Sequence, residues 1–208
     1  LRLFYLFMFS SWLNAVTKDL LNQPRPYILN ESIKVGTTGG PGIPSGHAQG
    51  SLVFWGYLAL WVRKRWFSVF CIVIIMLIAF SRLYLGVHFP TDILGGWLLG
   101  ICILFFGNTV ADKIESRISV FHPLWIFIGG TILPIALSFI LPTKYSVSPM
   151  GITAGLTGAI LLEKKFVNFI MPTGFMESAI RYLIGMTGLL AIYLGLKFAI
   201  PKESRIYL

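Results

Sequence analysis

Apolar residues fall along this chain in long runs, not at the two-residue period of a half-buried strand or in the narrow stripe of a soluble amphipathic helix. The runs cover roughly 1–17, 46–62, 66–83, 93–111, 121–141, 150–162 and 179–200. Most have the roughly 17 to 25 residues that a helix needs to cross the hydrocarbon core. The pattern predicts an all-α fold, a polytopic transmembrane helical bundle. The run 150–162 is short and rich in Gly and Thr, so it is expected to be tilted, re-entrant or packed inside the bundle. The one sizeable polar stretch is 18–45, whose four prolines and four glycines exclude a continuous helix. Segments 113–120 and 142–148 read as short connectors, and 164–178, which mixes Lys with Phe and Met, as an interfacial linker. The chain opens at Leu1 inside an apolar run with no signal-peptide cleavage pattern, so further helices are expected to precede it.

Composition agrees with residence in lipid: 56% of the 208 residues are hydrophobic and 12% charged, with a mean hydropathy of +0.78. The net charge of +9 would suggest nucleic acid in a soluble protein. Here its simpler meaning is that basic residues mark cytoplasmic loops, and no nucleic-acid partner is expected. The cluster Arg63, Lys64, Arg65 lies between two runs and is placed inside. Alternation then puts Lys113, Arg117, Lys164, Lys165 and Arg181 inside as well, and the loops 18–45 and 82–92 outside. Cys71 and Cys102 each sit in an apolar run and read as small buried hydrophobes, not as a disulfide or metal pair.

Ionisable residues in or beside spans are costly, which makes them functional candidates. Six stand out: Lys18, Arg25, His47, Arg82, His88 and Asp92. All six fall on the outer side of the topology above. A single Lys or Arg at a helix end is ordinarily a snorkelling anchor, but that does not account for three cations meeting two histidines. Three cations suit an oxyanion, and phosphate is the natural guest because arginine forks its oxygens and lysine adds a point charge. Pro44-Ser45-Gly46-His47 opens the run 46–62, so Ser45 and Gly46 are expected to complete an anion site at a helix N-terminus. The plainer alternative is a capping Ser with a bystander His.

His88 and Asp92 stand at i and i+4, which brings both to one face of a helical turn. A carboxylate that accepts from Nδ1 leaves the Nε2 lone pair free to attack phosphorus. His88 is therefore the expected nucleophile, Asp92 its orienter and His47 the general acid, although His88 and Asp92 alone would also read as a polar pair capping a span. Two His and a carboxylate can hold zinc. Lys18, Arg25 and Arg82 around the same point would repel a dication and already supply its charge, so no metal and no cofactor is expected. All of this chemistry lies before about residue 115, which suggests a catalytic core at 1–115 and a transmembrane extension at 116–208.

The pattern Lys18-x6-Arg25-Pro26, Pro44-Ser45-Gly46-His47 and Ser81-Arg82-x5-His88-x3-Asp92 resembles the three-part signature of the type 2 phosphatidic acid phosphatase (PAP2) superfamily, with every signature position present. The blocks span residues 18–92, under half of the chain. The resemblance implies that Lys18, Arg25, Arg82, Ser45 and Gly46 hold phosphate, that His88 becomes a phosphohistidine, that His47 is the acid and that Asp92 orients His88. A lipid phosphate or pyrophosphate is the expected substrate because the phosphate pocket would open at the bilayer boundary beside lipid-facing apolar helices, and with Arg63, Lys64 and Arg65 inside the site is expected to face the periplasm or exterior of a bacterial inner membrane. The spans after about 120 look like an addition to the family's usual core. Other readings are a sugar-phosphate phosphatase resembling glucose-6-phosphatase, a soluble-type haloperoxidase, a lipid-binding relative without activity, and, from another class, an anion or lipid transporter. A transporter would call for polar residues through the later spans, which are apolar.

Overall fold

A computed structural model of the chain describes residues 1–117, 120–141, 147–169 and 174–199, and among these every regular element is helical. The order is α1 (Arg2–Leu21), a short α2 (Pro26–Leu29), a 3-10 turn Glu31–Ile33, α3 (Gly46–Val62), α4 (Arg65–Tyr84) and α5 (Pro90–Glu115). There follow α6 (Pro123–Phe127), continuous through a π turn Ile128–Ile132 with α7 (Leu133–Ile140), then α8 (Val147–Leu162) with a π turn Glu163–Val167, and α9 (Phe175–Ala199). The π turn precedes Pro134, which has no N–H to continue the α-helical ladder. The expected helical bundle is the fold observed. The connectors and linker expected at 113–120, 142–148 and 164–178, and the end of the run 179–200, lie partly outside the described residues.

The chain forms two compact units, Leu1–Thr157 and Gly158–Leu208. Among the described residues, four helical stretches are long and apolar enough to cross a bilayer: Arg65–Tyr84, Pro90–Glu115, Pro123–Ile140 and Phe175–Ala199. The runs expected at 1–17 and 46–62 are helices too, but α3 is only 17 residues long and α1 is interrupted by Ser10, Asn14, Thr17 and Lys18. Those interruptions have a reason: α1 and α3 both line the site.

Within the first unit α3 is central and packs on α1, α4 and α5. Gly96 and Gly100 on α5, one turn apart, make the close approach possible. A Cβ on Gly96 would stand 2.6 Å from the Ser45 carbonyl oxygen, and one on Gly100 would stand 3.3 Å from that of Gln49. Below this contact Leu6, Val53 and Ile103 form a buried cluster joined by Phe7, Leu13, Tyr57 and Leu104. Outward faces remain apolar, as with Trp66, Phe70, Met76 and Phe80 on α4, because lipid demands no polar surface. α1 runs to Leu21, past the end of its apolar run, and stops where Asn22 turns left-handed (φ 41°) and donates its N–H to the Lys18 carbonyl at 2.8 Å. Lys18 therefore sits on the last turn of a helix, not in the loop that follows.

Candidate active site

Three segments meet above the end of the α1, α3 and α5 bundle: the loop 22–45, the first turn of α3 and the corner 85–89. The loop is folded inward by cations. Lys18 Nζ donates to the carbonyls of Pro41 (2.7 Å) and Gly42 (2.9 Å). Arg25, buried at 3% exposure, donates Nε to Gly40 O (2.7 Å), Nη2 to Gly39 O (2.8 Å) and Nη1 to Val87 O (2.9 Å). Gly36 N–H donates to Leu85 O at 3.1 Å, joining loop to corner. The corner turns at Gly86 (φ +67°), where a Cβ would lie 2.3 Å from the Ile33 carbonyl oxygen, so only glycine fits.

That turn presents His88. Its Nδ1 lies 3.1 Å from Asp92 Oδ2 and its Nε2 lies 3.1 Å from Arg25 Nη1. A guanidinium can only donate, so Nε2 accepts and Nδ1 carries the proton given to Asp92. This is the tautomer a nucleophile needs. Asp92 is fully buried at the third position of α5, where Oδ2 also accepts the Phe89 N–H at 2.9 Å, so one carboxylate caps the helix and orients the ring. Gly42 gives it room, since a Cβ there would be 2.9 Å from Oδ2. Burial lowers the His88 pKa, the Asp92 hydrogen bond opposes this, and the charges of Arg25 and Lys18 lower it further. The ring is thus neutral at physiological pH. His88 precedes α5 instead of lying on it, and the i, i+4 pairing survives because the chain bends into the helix there.

Ser45 is the N-cap of α3: its Oγ accepts from Ala48 N–H at 3.4 Å, and its own N–H donates to Asp92 O at 2.9 Å. It is fully buried, behind the cavity wall, and shapes the turn. Gly46 and the exposed His47 follow on the open side. A cavity of about 290 Å³ lies here, lined by Lys18, Arg25, Gly46, His47 and His88, and deeper by Phe7, Ser10, Asn14, Gln49, Gly50 and Pro149 of α8. Of the residues expected at the site, Ser45 and Asp92 stand behind this lining. Arg82, on the last turn of α4, does not line it, and its Nε donates to Ser81 Oγ at 3.2 Å. A wider groove of about 1030 Å³ lies at the far end of the bundle around Arg2, Arg63, Lys64 and Arg65. It holds no histidine and so neither nucleophile nor acid of this kind. Sequence reasoning passed over Asn14 and Gln49, both buried and both on the cavity wall. The signal was available, since an Asn and a Gln inside apolar runs are costly unless paired.

The PAP2 superfamily model matches residues 1–115, and a second, described as PAP2 superfamily phosphatase, transmembrane extension, matches residues 147–208. The lipid A 4'-phosphatase of Bacteroides thetaiotaomicron is 34% identical over 86 residues, 41% of this chain and 38% of that protein. Phosphatidylglycerophosphatase B of Bacillus subtilis is 30% identical over 115 residues, 50% of this chain and 53% of that protein. The chain therefore spans about half, or less, of the length of these relatives. The crystal structure of a transmembrane PAP2 type phosphatidylglycerolphosphate phosphatase from Bacillus subtilis is 29% identical, with a TM-score of 0.47, covering 54% of this chain and 58% of that one. With the first model matching more than half of its length, the chain belongs to the PAP2 superfamily.

Proposed function

We propose that the chain is a metal-independent phosphatase that cleaves a lipid phosphate or lipid pyrophosphate at the membrane surface through a phosphohistidine on His88. The observation that carries this reading is the fixed tautomer of His88, with its Nε2 lone pair aimed at the Arg25 guanidinium on the wall of a cation-lined cavity. A phosphoryl group that takes the place of that contact meets Lys18, Arg25 and the Gly46 amide, and Arg82, outside the lining and bound to Ser81 Oγ, joins them once it swings over from α4. Nε2 attacks phosphorus, His47 protonates the leaving oxygen, and Asp92 stabilises the imidazolium formed. Water then attacks the phosphohistidine with His47 as base. Ser45 serves the phosphate indirectly, by holding the turn.

Lys18, Arg25, Arg82 and the helix N-terminus supply the charge stabilisation that a metal would otherwise bring. The lipid character of the substrate follows from the setting, because the site opens at the end of helices with apolar outward faces. The end that carries Arg63, Lys64 and Arg65 is the cytoplasmic one, so the site faces the other side, the periplasm or exterior of a bacterial inner membrane. The catalytic core is 1–115 and the extension 116–208. Phosphate release by purified protein against lipid phosphates, lipid pyrophosphates and glucose 6-phosphate, with and without EDTA, tests the reading. Turnover of a lipid substrate in EDTA is expected. Activity confined to glucose 6-phosphate, or lost in EDTA and restored by a divalent metal, would contradict it.

A further inference from the structure

Below the cation-lined part of the cavity lies a buried pair of amides that the steps above leave unused. Asn14 Nδ2 donates to Pro44 O (3.2 Å) and to Gln49 Oε1 (2.8 Å), and Gln49 Nε2 donates to Ser10 O and Ser10 Oγ, both at 2.9 Å. A backbone carbonyl only accepts, so Pro44 O and Ser10 O fix which end of each amide is nitrogen. Asn14 Oδ1 must then point the other way. It lies 3.0 Å from where a Cβ on Gly46 would stand, and it accepts no hydrogen bond among the described residues. Asn14 lines the same cavity as His47 and His88.

An acceptor fixed beside an anion-binding turn repels phosphate oxygens and calls for a donor. In-line displacement at phosphorus places the leaving oxygen and, later, the attacking water at the same apical position, near the acid that serves both. The two differ in their protons. The leaving alcohol receives one proton from His47 and brings none, whereas the water carries two and His47 can take only one. We propose that Asn14 Oδ1 holds the second proton of the hydrolytic water and is therefore a catalytic residue of the dephosphorylation step. In that step the water O–P bond forms and the bond from phosphorus to His88 Nε2 breaks. One water proton passes to His47, the other stays on the departing phosphate, and the His88 lone pair is restored.

The inference rests on the phosphohistidine reading, and a partition experiment separates the two. With nitrophenyl phosphate as donor and methanol as a competing acceptor, the intermediate yields inorganic phosphate or methyl phosphate. Methanol has one proton and needs only His47. In Asn14→Ala the product ratio should move about tenfold toward methyl phosphate, the worth of one hydrogen bond, and phosphoenzyme should accumulate in quenched samples. Gln49→Ala, which frees the Asn14 amide to turn, should move the ratio the same way by less. The ratio compares two products of one intermediate, so it does not depend on how much variant protein is folded, as a purely structural role would require. An unchanged ratio in either variant that still turns over overturns the role of Asn14. Failure of the native enzyme to give any phosphoenzyme or methyl phosphate overturns the phosphohistidine reading itself, and the inference with it.

Discussion

Replacing Asp92 by Asn removes a charge and almost nothing else, which makes it the cleanest probe of the pair it forms with His88. Oδ2 accepts from both His88 Nδ1 and Phe89 N–H, while Oδ1 is buried and has no hydrogen-bond partner among the described residues. An amide oxygen in the Oδ2 place keeps both contacts, and an NH2 of nearly equal size fits the other. What is lost is negative charge beside an imidazole that becomes cationic when Nε2 bonds to phosphorus. A hydrogen bond to a charged group is worth about 1.5–3 kcal/mol, so kcat should fall about 10- to 150-fold, with little change in KM. The pH profile adds a signed test. Only neutral His88 attacks, so activity declines as pH drops through a pKa that burial has lowered and Asp92 partly restores. Without the Asp92 charge that pKa falls further, and the acid limb of kcat/KM should move to lower pH while the plateau drops. Steady-state kinetics from pH 4 to 8 read both effects. A kcat within about threefold of wild type, or an acid limb at higher pH, would reduce Asp92 to a cap on the Phe89 N–H.

His47→Ala should still form the intermediate from nitrophenyl phosphate, whose leaving group needs little protonation, yet lose about 10²- to 10⁴-fold on an alkyl phosphate. Equal losses on both substrates, measured side by side, would remove its role as acid. Gly96→Ala forces a Cβ to 2.6 Å from the Ser45 carbonyl oxygen and 3.2 Å from the Gln49 nitrogen, so it should cost about 1–3 kcal/mol and lower the thermal midpoint. The neighbouring Gly95→Ala meets Ile43 Cγ1 at 3.4 Å and serves as the control, expected near neutral; equal melting of the two variants would show that α3 and α5 are not held by this contact. A cysteine at the exposed Ser32, with Cys71 and Cys102 replaced, should react with an impermeant thiol reagent on intact cells and one at Lys64 should not. The reverse pattern would turn the site to the cytoplasm.

The helices were legible because the cost of a polar backbone in lipid leaves long apolar runs few alternatives. The meeting of Lys18, Arg25, His47, His88 and Asp92 was legible for the same reason, since charges near spans must converge to be tolerated. The structural task of Arg25 was hidden. Its fork ties the Gly39, Gly40 and Val87 carbonyls together beside His88, and backbone acceptors leave no mark in a sequence. Ser45 was expected at the phosphate because capping and anion binding call for the same residue; the structure shows the cap, with Oγ accepting from Ala48 N–H and the residue fully buried. Asn14 and Gln49 went unnoticed because each is neutral, and their pairing spans helices 35 positions apart. Gly96 gave no sign of its contact with Ser45 for the same reason: close approach is a property of two helices together.

In the proposed mechanism His88 carries the phosphoryl group between the two half-reactions. Enzyme mixed with a phosphorus-labelled lipid phosphate, quenched within the first turnover and digested for mass spectrometry, tests it most directly. An acid-labile, base-stable phosphoryl group is expected on the peptide containing His88 and is expected to be absent from His88→Ala enzyme. A label on another residue, or turnover by His88→Ala at more than a trace of the native rate, would contradict it.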